Sequence, residues 1–226
     1  SSEANSTFGG DPISGNTSFA DNGAKKFVYF DTAYAKWSPI HTPEWVGAFT
    51  IGKMDNPFVF PSTMMFDRDY TPEGIAAQLA YAFNDHHSLK FNSGAFVLDE
   101  LSASGRDPWL GGAQLRWDAT WNPHLSTTLG AAGFYIGNDE NLVNGNVPNV
   151  NRGNTRNAAG APMNDFNSIY VDGGITWTLD SFPRYPGPFP INFSGDYVNN
   201  PAASADNSGY SFGVTFGKSG KKGTWD

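Results

Sequence analysis

Between Trp109 and Trp121 alternate residues belong to two different solvents. One set reads Trp109, Gly111, Ala113, Leu115, Trp117, Ala119, Trp121; the other reads Leu110, Gly112, Gln114, Arg116, Asp118, Thr120. A β-strand sends successive side chains to opposite faces, so the first set makes an uncharged surface with tryptophan at its ends, and the second a wet one. Aromatic residues at the rims of a long apolar face are what a membrane-spanning barrel strand shows where lipid headgroups begin. The same stretch buried in a soluble core would need no such rims.

The alternation recurs along the chain and predicts nine strands. The first runs from Phe27 to Trp37, the second from Trp45 to Gly52, the third from Gly74 to Phe83, and the fourth from Ser88 to Leu98. After the Trp109 to Trp121 strand come Leu125 to Ile136, Ser168 to Leu179, Phe189 to Tyr197, and Tyr210 to Gly217. Leu79, Leu115, Leu129 and Trp177 fall on the apolar side; Gln78, Gln114, Arg116, Asp118, Thr128, Asp172 and Thr176 fall on the polar side. Compact connectors follow odd-numbered strands and longer ones the even-numbered strands, an asymmetry of outer-membrane barrels. The expected fold is therefore all-β, an antiparallel up-and-down transmembrane β-barrel with residues 1–226 as a single domain.

Composition narrows the function classes. Of the 226 residues 15% are aromatic and only 16% charged, and there are 26 glycines, a balance suited to strands and turns. A net charge of −8 argues against a nucleic-acid partner, which requires a basic stripe. No run of about 18 apolar residues exists for a transmembrane helix, while alternating strands fit a mean hydropathy of −0.41. Without cysteine there is no disulfide scaffold, thiolate zinc site or cysteine nucleophile. Neither G-x-S-x-G nor H-E-x-x-H occurs, so no enzyme activity is expected. His86 and His87 read as solvated residues of a tight turn. Asn138, Asp139, Glu140 and Asn141 offer oxygen ligands for a loop-bound Ca²⁺, but without a complete spacing rule no cofactor is predicted.

The segment Met54 to Pro72 is too long for a hairpin and too rich in Phe and Met for water: Phe58, Phe60, Met64, Met65 and Phe66 need cover. Folding inward against the barrel wall supplies it, and carries Asp67, Arg68 and Asp69 toward the pore, opposite Lys90 and Arg116. These five residues are the expected pore constriction. The alternative is a loop packed on itself or on a neighbouring subunit.

The stretch Gly52 to Ala77, reading GKMDNPFVFPSTMMFDRDYTPEGIAA, resembles the bacterial outer-membrane family named "Putative porin", with a Gly-Lys strand end, Asn-Pro-Phe, and an Asp-rich segment ending in Pro-Glu-Gly. The likeness extends more weakly through Phe30-Asp31-Thr32-Ala33-Tyr34 and Lys221-Lys222-Gly223-Thr224-Trp225. It implies a closed outer-membrane barrel larger than this chain, with strands expected before Ser1, where the Ser1 to Gly23 opening reads as a polar loop, and another beginning near Thr224. The expected function is passive diffusion of small hydrophilic solutes and ions in the bacterial outer membrane. Lipid, lipopolysaccharide and a homotrimer are the expected partners, and the loop Gly137 to Asp165, with Asn144 to Asn157, is expected at the cell surface. Two other readings stay open: a soluble β-sandwich carbohydrate-binding module, and a barrel enzyme or gated transporter.

Overall fold

Each strand of the alternating pattern pairs with the next in sequence, giving a nine-stranded antiparallel meander. The computed structural model describes residues 2–5, 27–101, 104–142 and 154–226. The strands are β1 (Ser2–Asn5), β2 (Phe27–Phe30), β3 (Ala33–His41), β4 (Trp45–Lys53), β5 (Glu73–Asn84), β6 (His87–Val97), β7 (Trp109–Asn122), β8 (Leu125–Gly137), β9 (Ile169–Leu179), β10 (Phe189–Asn199) and β11 (Ser208–Phe216). β3 through β11 form one open sheet in chain order, and β1 pairs with β2 in a separate two-stranded sheet. A short 3₁₀ turn, Asp139–Asn141, follows β8. No helix among the described residues is long and apolar enough to cross a membrane.

Several expectations change. The first predicted strand breaks at Asp31 and Thr32, so that β2 pairs with β1 while only β3 joins the large sheet. The polar opening is partly strand, at Ser2–Asn5; its remainder, like 144–153 of the long loop, lies outside the described residues. Thr224 closes a turn, its N–H donating to the Lys221 carbonyl at 3.0 Å, and Trp225 packs on Phe189 with ring centroids 5.4 Å apart. The connector asymmetry holds through β8 and fades afterwards: residues 180–188 between β9 and β10 form no shorter a link than 200–207 between β10 and β11.

The register fixes the two faces. Leu115 pairs with Phe91 and Ala131, and Ala131 with Val171; this outer row is apolar throughout. It is also uncovered: Leu115 is 48% exposed and Leu129 54%. Rings gather where this face meets the short turns. Trp45 lies against Tyr81 at 4.5 Å, and Trp117 against Trp121 at 5.8 Å, while Trp109 and Tyr135 meet at 5.5 Å near the long-loop end. From Trp109 to Trp121 the strand spans about 40 Å at roughly 3.3 Å per residue, or about 30 Å along a barrel axis at a tilt of about 40°. That is the thickness of a bilayer core. His87 belongs to this aromatic belt rather than to the solvated turn: its ring stacks on Trp117 at 5.9 Å and meets Trp121 edge-on at 5.1 Å. His86 alone stays exposed in the turn.

The opposite, inner face is where the core sits. Its long-loop end is not wet, as alternation alone suggests: Phe96, Leu110, Ala132, Phe134 and Tyr170 are buried there. What buries them is the segment 54–72, whose Met54 and Phe58 complete the same cluster, with Phe60, Met64, Met65 and Phe66 packed around it.

Candidate functional site

The segment 54–72 turns inward because its sequence closes it at the base and offers apolar rings to the sheet. At the base the Met54 N–H donates to the Pro72 carbonyl at 2.9 Å, and Lys53 Nζ donates to the Thr71 carbonyl at 2.8 Å. Asn56 Oδ1 accepts from the Phe58 N–H at 3.1 Å across Pro57, an Asx turn that points the Phe58 ring at the wall. There Phe58 meets Phe134 edge-on at 5.0 Å and Phe96 at 6.2 Å. Gly112 makes the approach possible: a Cβ at that position would lie 2.6 Å from the Phe134 ring and 2.9 Å from Phe58. Further along, Phe60 sits edge-on to Tyr170 at 5.0 Å, and Phe66 stacks with Tyr70 at 5.8 Å. Burial pushes the Tyr70 phenol up to about 12, as expected where the charged form is poorly solvated.

Polar contacts fix the loop at two points. Gln114, 1% exposed, accepts from the Val59 N–H at 2.9 Å and donates to the Val59 carbonyl at 2.7 Å, serving the loop backbone as a strand would. Asn92 Nδ2 donates to the same Gln114 oxygen at 3.2 Å, and Gln78 donates to the Pro57 carbonyl at 3.4 Å. The second point is Asp196, whose carboxylate accepts from Ser62 of the loop, from Ser211, and from the Tyr170 hydroxyl at 2.5 Å. Asp196, Ser62 and Tyr170 were not among the candidate residues. Their signal was present, since Asp196 shares a face with Asn192 and Ser194, but a lone carboxylate on a polar face does not announce three donors.

The charges of the wall come together on adjoining strands. Lys90 pairs with Arg116 across β6 and β7, Arg116 with Gly130 across β7 and β8, Gly130 with Asp172, and Asp172 with Asp196. Asp118 stands one step nearer the short turns and bridges the two cations: Lys90 Nζ reaches it at 2.6 Å and Arg116 Nε at 2.8 Å. Arg116 also stands 3.7 Å from Asp172. Gln78, Thr128 and Thr176 are half-buried on the same face, and Asn192 Nδ2 donates to the Thr176 hydroxyl at 2.8 Å.

Asp67, Arg68 and Asp69 sit apart from these. They form an exposed turn in which the Asp69 N–H donates to Asp67 Oδ1 at 2.9 Å. Among the described residues the ion pairs of Lys90 and Arg116 run to Asp118 and Asp172, not to the loop carboxylates. The expected facing of loop anions and wall cations is thus replaced by an internally paired wall beneath a loop with its own free charges.

At the long-loop end Arg106 pairs with Glu140, and Asn138 Nδ2 donates to the Asp107 carbonyl at 2.9 Å. Burial, with Asp165 nearby, holds the Asp139 carboxyl above its usual range. Arg156 donates to the carbonyls of Leu142, at 2.7 Å, and Gly160; burial lowers its basicity.

No curated protein and no solved structure matches the chain. A family model described as "Putative porin" matches residues 6–162, which include β2 to β8, the inward loop, Gln114 and the Lys90, Arg116 and Asp118 cluster. Such a match over more than half of the sequence, on a sheet of this topology, makes the chain a member of that porin family.

Proposed function

We propose that the sheet is wall of a water-filled outer-membrane channel, narrowed by the segment 54–72, through which small hydrophilic solutes and ions diffuse. The observation that supports this most directly is the division of one sheet between two solvents. Its outer face leaves Leu115, Leu129, Ile175 and Phe212 uncovered among other apolar residues, whereas its inner face keeps Lys90, Arg116, Asp118, Asp172 and Asp196. A soluble protein exposing so wide an apolar face would aggregate; in lipid the same face is solvated. Thr128 and Thr176 then line the lumen toward the short turns, Gln78 holds the edge of the loop through the Pro57 carbonyl, and lipid and lipopolysaccharide are the partners of the outer face. Three copies per channel assembly is a proposal by analogy with the architecture alone.

In this reading the exposed Asp67, Arg68 and Asp69 stand on the loop edge that borders the open lumen, and their charge sets ion preference through the local field. The double variant Asp67→Asn with Asp69→Asn removes two negative charges there. In planar bilayers its reversal potential under a salt gradient should move toward anions, strongly at low salt and weakly at high salt, because the screening length grows as salt falls. An unchanged reversal potential at low salt in a folded variant places these carboxylates away from the ion path. Failure of the folded wild-type protein to conduct at all rejects the channel.

A further inference from the structure

Charge is divided unevenly between the two ends of the sheet. Among the described residues, the connectors 54–72, 98–108, 138–142, 154–168 and 200–207 stand at the long-loop end and carry ten carboxylate side chains against three arginines. The segments at the other end, 42–44, 85–86, 123–124, 180–188 and 217–226, carry four carboxylates against four lysines and arginines. Strands β3 to β11 are balanced as well, four against four. The negative excess of the large sheet and its connectors therefore sits at one end.

The arginines there do little to cancel it. Arg106 pairs with Glu140, whereas Arg156 donates to the carbonyls of Leu142 and Gly160. Asp139 is only 7% exposed, yet its Oδ2 has no hydrogen-bond partner, and the charges that act on it are those of Asp165 and Glu140, both negative. Asp55, Asp67, Asp69, Glu100, Asp165 and Asp206 are exposed around it on separate connectors. Protein surfaces ordinarily intersperse the two signs, and a field of one sign serves to steer a charged ligand. At physiological ionic strength each carboxylate acts over about 8 Å, so several at one end reinforce one another.

We infer that the long-loop end is an electrostatic funnel that collects small cationic solutes, those bearing an ammonium or guanidinium group, and delivers them to the lumen. The inference rests on the channel reading and adds the solute class to it. The funnel acts on the rate of capture rather than by tight binding. Past the mouth the strands carry no net charge, so a captured cation is not held there, as passage requires.

The test uses the full chain in proteoliposomes and three solutes of near-equal size: protonated ethanolamine, glycolate and ethylene glycol. Glu100→Gln with Asp165→Asn and Asp206→Asn removes three exposed carboxylates from three connectors and leaves the segment 54–72 untouched. Asp206 has φ 50°, a conformation that asparagine adopts readily. At about 0.01 M salt the ratio of ethanolamine to glycolate uptake should fall about threefold or more in the triple variant. At about 1 M salt, where screening acts within about 3 Å, the two proteins should differ little. Ethylene glycol uptake should be equal in both, which shows that the variant is folded and open. An unchanged ratio at low salt with normal ethylene glycol uptake overturns the funnel and keeps the channel. Absence of ethylene glycol uptake by the wild type rejects the channel and the funnel together. Loss of the wild-type ratio on adding Ca²⁺ at a concentration too low to screen would mean that the carboxylates hold a fixed ion, and also overturns the funnel.

Discussion

At the scale of single residues the decisive property is which solvent each side chain meets. Leu115 and its neighbours Gln114 and Arg116 differ by one step along β7, yet Leu115 is half exposed on the outer face, Gln114 is buried under the loop and Arg116 is ion-paired. Period-two alternation made that division legible in the sequence, because a shift by one residue exchanges the faces completely. It could not tell which polar-side residues would be dry. Phe96, Leu110 and Phe134 lie on the inner face and are buried by a segment tens of residues away in sequence, an effect no local period records. Leu115→Arg tests the outer assignment. At the bilayer midplane it should cost about 2 to 4 kcal/mol, measured by urea unfolding from liposomes. A cost near zero would move Leu115 out of the lipid.

At the scale of elements, the segment 54–72 gives the otherwise open inner face a core. Its inward fold was legible from an excess of Phe and Met over what water tolerates, and the structure adds the fastening: the Gln114 pair on Val59 and the Asp196 contact from Ser62. The location of its charges was not legible in the same way. Asp67 to Asp69 form an exposed turn held by the Asp69 N–H on Asp67 Oδ1, and Asp118 meets the wall cations first because it lies on the same face, in reach of both. Phe58 is the ring on which the loop docks, edge-on to both Phe96 and Phe134. Phe58→Ala should weaken docking by about 3 to 5 kcal/mol, the usual cost of emptying an aromatic site. Two readouts follow: the Val59 amide, which Gln114 accepts from, should exchange with solvent faster, and, in the channel proposed above, single-channel conductance should rise as the segment loosens. Unchanged amide exchange would mean that hydrogen bonds rather than rings hold the loop.

At the scale of the whole molecule the open sheet sets the terms. β3 and β11 are its edges, and with strictly antiparallel neighbours between them they run in the same direction. Unpaired strand edges are not tolerated in lipid, and two edges that run in the same direction cannot close on each other as an antiparallel pair. The same alternation of direction sends the turn at Asp85 to one end of the sheet and the end of β8 with the start of β9 to the other. Short turns face the periplasm and long loops the exterior in outer-membrane barrels. The chain has no cysteine, so single cysteines report without background. Ala159 and Asp85 are both exposed in the fold, and neither substitution enters the core. On intact cells a membrane-impermeant maleimide should label Ala159→Cys at once and Asp85→Cys only after the outer membrane is permeabilised. The opposite order would invert the molecule in the membrane and bring the loop 54–72 to the periplasmic mouth. Equal labelling of both before permeabilisation would mean that the two ends share one aqueous compartment, and no membrane lies between them.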